Sequence, residues 1–461
     1  MSKKRKKRKK AIQKNNAIAI WIIALLFILI ILLLLHQEYN KEPSIISITY
    51  ANKYNEDRTR DITLKLKTHN NNAVYCQFED DKISSEWIRA KNNKCTYSAK
   101  TYKYNINVKY NGNQIVSFTK KIKIDGILGI KINNHKKYLA LGDGYNLDTK
   151  LDYVGDVNTT IKYVSSNPSI ISVDQEGNVA ALNNGSAKIT AYSSNKMSDE
   201  IEITGTDLIR VATLDNNKPR VPCNAFPQDQ IDMLDAILES RVKEAGEGTR
   251  AAVAVAARFL TLEFPYKVPY FYENGRLTEN GLQAIVEGEG RYYKKGLYLG
   301  VEKQNQITRR MAGPASWGCP LMNYEDDGYR VPNTYYPNGL DCSGYVSWVL
   351  HNAGLDLGDI GAGINPGVHD YTDVGELRYN SYDLLHSGQV KVGDLIGWDG
   401  HIAIIGAMSD TNIYVTESLI PGVIMDEYDY SSPYSKFYSR YDYIIDMSNN
   451  YKGDGNLKNM W

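Results

Sequence analysis

The run Asp341-Cys342-Ser343-Gly344 and the distant His401 are the residues of this chain best suited to covalent chemistry. Tyr345, Val346, Val349, Leu350 and Ala353 follow the cysteine at helical spacing, and Gly354 supplies a stop signal. Asp341 suits the cap position, so Cys342 is expected to open a helix. Unpaired N–H groups and the helix dipole favour negative charge there, which predicts a readily formed thiolate. Such a nucleophile still needs a base that carries a proton to the leaving group. Residues 393–405 read as two buried strands joined by a tight turn that bears His401, with a third strand from Ile413 to Glu417. Alternation puts Ile413, Val415 and Glu417 on one face, where Glu417 can orient the imidazole as the third member of a triad. A single cysteine is more often a small buried hydrophobe, and a single histidine a turn residue. Their combination points to a cysteine hydrolase.

Two segments carry a family resemblance: Leu340-Asp341-Cys342-Ser343-Gly344-Tyr345-Val346, and Val392-Gly393-Asp394-Leu395-Ile396 with His401-Ile402-Ala403-Ile404-Ile405 behind it. In type and order they resemble the motifs of the NlpC/P60 cell-wall peptidases, over roughly residues 313–447. The resemblance implies a papain-like α+β fold, with the nucleophile's helix on an antiparallel sheet that holds the base. It also implies hydrolysis of peptidoglycan stem peptides, commonly after γ-D-glutamate, through a thioester. Cys342 would be the nucleophile, His401 the general base and Glu417 the third polar residue, with the Cys342 backbone N–H helping to hold the oxyanion. Asp341 and Ser343 beside the nucleophile, and Trp398 just before His401, are the expected substrate-binding residues.

The chain departs from the family in three places. Glu417 stands where His, Asn or Gln is usual, which looks more like the related CHAP amidases. The upstream Tyr-x-Trp-Gly-Gly element appears only as Ala315-Ser316-Trp317-Gly318-Cys319. A Tyr- and Asn-rich stretch from Pro320 to Asn338 reads as a surface loop. Three functions therefore stay open: a γ-D-glutamyl-diamino acid endopeptidase, a CHAP-like N-acetylmuramoyl-L-alanine amidase or cross-bridge endopeptidase, and a surface adhesin or scaffold with an inactive peptidase domain. No cofactor is expected, and no Cys/His cluster has zinc-ligand spacing, so no metal is expected either.

Lys3 to Lys10 are all Lys or Arg, Lys14 adds another, and Ala17 to Leu35 is apolar and free of charge. About 20 such residues cross a bilayer as one helix, and the cationic side stays in the cytoplasm. The run is longer than the apolar core of a signal peptide, and no small-x-small cleavage pattern follows before Lys41. The expectation is a signal anchor in a bacterial cell membrane, with the rest of the chain outside. The nine basic residues before the span exceed the chain's net charge of +1, so the exterior part is net acidic and nucleic acid is not expected as a partner.

The 461 residues exceed one domain. The expected order is a cytoplasmic tail (1–16), the span (17–35), an Ig-like sandwich (36–125), a second Ig-like domain (126–206), a polar linker (207–225), the catalytic domain with a helical extension (226–447) and a tail (448–461). Short alternating runs and Asn111-Gly112 point to the first sandwich. Tyr163–Asp174, Gly177–Ala181 and Gly185–Ala191 resemble the bacterial Ig-like group 2 domains, which implies a spacer or a site for cell-wall or surface partners. The extension should hold helices over Gln228–Ala245 and Thr249–Phe264. Of the five cysteines, Cys76 with Cys95 and Cys223 with Cys319 are the expected disulfides, leaving Cys342 free. Tyr270, Tyr272, Tyr292, Tyr293, Trp317 and Trp398 are aromatic groups that could stack on a sugar or peptide, Trp398 being favoured for its nearness to His401.

Overall fold

The computed structural model describes residues 2–69, 73–100, 103–122, 124–271, 295–300, 311–312, 314, 316–324, 326, 331–358, 360–365 and 370–461. Tyr272, Tyr292, Tyr293 and Ala315 lie outside the described residues. The chain divides into two compact units. The division runs through the 126–206 segment: residues 1–131, 150–161 and 192–198 form one unit, and the remainder forms the other.

The first unit begins with helix α1, Ser2–Tyr39, which is long and apolar enough to cross a membrane. Beyond it, strands Ser44–Tyr50, Arg60–Lys67 and Lys94–Ala99 make one antiparallel sheet. Ile88–Arg89, Tyr75–Glu79, Lys103–Tyr110 and Gln114–Lys121 make a second. Alternation drives the sandwich: Ile62, Leu64 and Leu66 point inward from one sheet and Cys76, Phe78, Ile106 and Val108 from the other, all buried. The Cys76–Cys95 disulfide joins the two sheets through this core. Asn111 and Gly112 both take positive φ at the tip of the last hairpin, as an Asn-Gly turn requires.

Lys162–Ser165, Gly185–Tyr192, Ser198–Thr206 and Tyr138–Ala140 form a four-stranded sheet over Tyr163, Ala187, Ile189 and Ile203, all of it in the second unit except Tyr192 and Ser198. The helical extension follows. Helix α2, Gln228–Ala245, buries Ile231, Leu234, Ile237 and Leu238 along one stripe. Helix α3 is shorter than expected. It runs Arg250–Arg258, capped by the Thr249 side chain on the Ala252 amide, and passes into a π-helical turn at Phe259–Glu263.

That turn explains a second departure. The expected linker at 207–225 is packed structure: Lys218 is buried, and its Nζ donates to the carbonyls of Leu260, Thr261 and Phe264 at 2.6, 2.9 and 2.9 Å. Helix ends leave carbonyls without partners, and the ammonium satisfies three of them at once. Burial pushes the Lys218 ammonium down to about 7.

The C-terminal region holds a six-stranded antiparallel sheet. Its strands in chain order are β1 (Glu376–Tyr379), β2 (Leu395–Trp398), β3 (His401–Met408), β4 (Asn412–Leu419), β5 (Gly422–Asp429) and β6 (Tyr443–Asp446), placed in space as β1-β6-β2-β3-β4-β5. Helix α4, Cys342–Asn352, packs on β3 and β4 and against α3. Two described segments of the expected surface loop are paired strands. Pro320–Asn323 pairs antiparallel with Thr334–Pro337, and Leu321 is fully buried.

Candidate active site

Asp341 caps α4: its carboxylate accepts from the Gly344 amide at 2.6 Å and from the Ser343 hydroxyl at 3.2 Å. Both residues are buried and turned toward the helix start. Together they hold Cys342 at the first helical position. Cys342 is 7% exposed and is the free thiol among the five cysteines, because Cys223 and Cys319 are bonded as well. Peptide mapping without reductant should return the two linked pairs and an alkylated Cys342; a cross-linked peptide containing Cys342 would contradict this arrangement.

His401 is the first residue of β3. Asp399 and Gly400 make the turn, with Gly400 at φ 93°, a conformation glycine takes without strain. The Tyr371 hydroxyl ties the turn down, donating to the carbonyls of His401 (3.0 Å) and Trp398. Glu417 on β4 is fully buried, and its Oε2 lies 2.6 Å from His401 Nε2. Its other oxygen accepts from the Tyr441 hydroxyl at 3.0 Å and lies 3.7 Å from the Arg440 guanidinium on helix α5, Phe437–Arg440. A carboxylate accepts only, so Nε2 carries the imidazole proton and Nδ1 is the nitrogen left for proton transfer. Trp398 is half-buried and stacks on the His401 ring, with centroids 4.2 Å apart, and the Arg440 guanidinium covers the indole at 4.8 Å. Trp317, by contrast, is fully buried between Tyr298 and Trp348 and has no face to offer a ligand.

Burial opposes the expected ease of thiolate formation. Desolvation pushes the Cys342 thiol up to about 12, Asp341 adds like-charge repulsion, and the amides of Ile402, Ser343 and Cys342 pull weakly the other way. The Ile402 amide is nonetheless informative, because it brings the thiol beside the first residues of β3. A thiol with this pKa is protonated at neutral pH. Alkylation of Cys342 in the free protein should accelerate roughly tenfold per pH unit through pH 9. A rate already level below pH 8 would contradict this and indicate a standing thiolate–imidazolium pair.

Sequence reasoning missed several supports. Arg250 on α3 is 2% exposed and pairs with Asp394 at 2.6 Å, where β2 begins. Asp394 also accepts from the amides of Met447 and Lys391 at 3.2 and 2.8 Å, joining helix, sheet and tail. The Ser418 hydroxyl donates to the Leu340 carbonyl at 2.8 Å, tying β4 to the residue before the cap. Tyr441 and Arg440 sit in a tyrosine-rich stretch without a motif, and nothing in their spacing signals a role.

Comparison with known proteins identifies one part of the chain. Residues 129–203 are a bacterial Ig-like domain (group 2). A Flavonifractor plautii protein described as A type blood N-acetyl-alpha-D-galactosamine deacetylase is 25% identical over 150 residues, 32% of this chain and 19% of that protein. The chain thus spans about a fifth of that relative's length. Among solved structures, the C-terminal fragment of intimin in complex with the intimin-binding domain of its translocated receptor is 18% identical, covering 43% of this chain and 78% of that one at a TM-score of 0.26. Domains 4 and 5 of the S-layer protein SbsC are 17% identical, covering 23% and 65% at a TM-score of 0.17. TM-scores in this range assign neither fold nor activity to the remaining residues.

Proposed function

We propose that the protein is a membrane-anchored, outward-facing cysteine peptidase of peptidoglycan stem peptides, with a papain-like NlpC/P60 catalytic domain held off the membrane by Ig-like spacers. One observation carries the reading: a free Cys342 opens a helix on the strands that bear His401 and Glu417, with the latter two 2.6 Å apart. His401 Nδ1 takes the thiol proton as Sγ attacks the substrate carbonyl. The C–N bond breaks, the amine leaves with that proton, and water then hydrolyses the thioester to a carboxylate and regenerates the thiol. The γ-D-glutamyl-diamino acid bond is the proposed cleavage point. The carboxylate partner of His401 favours the second reading, a CHAP-like amidase that cuts at the muramoyl end.

The thioester is the test. Brief incubation of the full-length chain in detergent with a stem peptide, followed by acid quench, should show a mass added at Cys342 equal to the acyl half of the peptide. An unmodified Cys342 beside accumulating cleaved peptide would contradict a thioester route. Topology is tested separately. Protease added to intact cells should remove everything beyond α1, and full protection of the C-terminal part would overturn the outward orientation.

A further inference from the structure

A cleft of about 210 Å³ opens between Arg220, Pro269, Tyr270, Phe271, Tyr336, Pro337, Ile420 and Pro421. Its walls are bonded to the catalytic elements. The Phe271 amide donates to the Leu340 carbonyl at 3.1 Å and the Leu340 amide to the Pro269 carbonyl at 3.0 Å, two residues before the nucleophile. The Tyr270 amide donates to the Pro421 carbonyl at 3.3 Å, in the turn between β4 and β5. Because β3 and β4 are antiparallel with Ile404 opposite Thr416, that turn lies at the end of the sheet where β3 starts with His401. The cleft therefore borders both the approach to Cys342 and the His401 end of the sheet.

Its chemistry is uneven. The walls are aromatic rings and prolines, while Arg220 at the rim is exposed and no carboxylate among the described residues is ion-paired with it. Lys267, on the segment bridged to Arg220, adds a second positive charge to the same ladder. A guanidinium beside flat apolar walls suits a peptide that presents a carboxylate next to small apolar side chains, since the planar fork grips a carboxylate with two parallel hydrogen bonds. Taking the proposed function as the starting point, we propose that this cleft is a substrate subsite in which Arg220 binds a free carboxylate of the stem peptide. Arg220 would then make the protein prefer stems with a free carboxylate over stems amidated at that position.

The test measures binding of synthetic stem peptides, carboxylate and amidated forms, to the full-length Cys342→Ala chain in detergent and to the same chain carrying Arg220→Gln or Arg220→Lys. The Cys342→Ala chain should bind the carboxylate form tighter, Arg220→Gln should weaken that form roughly 10–100-fold with little effect on the amidated one, and Arg220→Lys should restore part of the loss. Equal binding of both forms by all three chains would overturn the subsite while leaving the peptidase reading intact. Absence of binding by every chain, together with no cleavage of the peptides by the wild-type chain, would overturn the peptidase reading and the subsite with it.

Discussion

Replacing Glu417 with alanine is expected to lower kcat on a stem peptide by about 10²–10⁴-fold, with KM changed little. Glu417 is fully buried, and its oxygens hold His401 Nε2, the Tyr441 hydroxyl and the Arg440 guanidinium. Without it the imidazole loses the bond that fixes its tautomer and ring orientation, and Nδ1 no longer meets the thiol proton reproducibly. The protonated thiol makes this loss larger, because a nucleophile pushed up to about 12 depends on its base in every turnover. Glu417→Gln should retain much more activity, since an amide oxygen can still accept from Nε2. A thermal melt of each variant separates lost chemistry from lost fold. A folded Glu417→Ala protein within tenfold of wild-type would show that the pair at 2.6 Å is structural only.

The largest effect on stability is expected at Asp394, outside the reacting groups. Asp394→Ala should destabilise the second unit by about 3–5 kcal/mol, because it strands the buried Arg250 guanidinium. Asp446 and Asp454, at 4.0 and 3.6 Å from Arg250, are more exposed and too distant to replace a bond of 2.6 Å. For a region of this size the loss corresponds to a fall in Tm of roughly 6–20 °C. Pairing Asp394→Leu with Arg250→Met should cost less than the two single changes summed, since the double variant leaves no buried charge unmatched. Additive losses would show that the two side chains act separately.

These expectations separate what local chemistry dictates from what packing adds. The two ends of α4 are legible from Asp341 and Gly354 because a cap and a stop act within a few residues. The inward alternation of Ile62, Leu64 and Leu66 is legible for the same reason, and so is the apolar run of α1. The thiol's environment is not. A helix start favours negative charge, yet α4 packs on strands far along the chain, and burial of Cys342 pushes its thiol up. Lys218 misleads in the same way. In a run of Asn, Lys and Pro it reads as solvated linker, and its role appears only once the π-helical turn brings three carbonyls around one ammonium. Tyr441 and Arg440 reach Glu417 only because β6 and the helix before it fold back over β2, a long-range pairing that no short spacing encodes.

The role proposed for Cys342 is cleavage of cell-wall stem peptides. The most direct measurement incubates purified peptidoglycan with the full-length chain in detergent, and in parallel with its Cys342→Ala variant, and reads the released fragments by mass spectrometry. Fragments are expected from the wild-type chain alone, with new termini at the γ-D-glutamyl-diamino acid bond. Identical fragment patterns from both chains, or none from either across several wall chemotypes with wall binding retained, would contradict it and leave an adhesin whose peptidase domain is inactive.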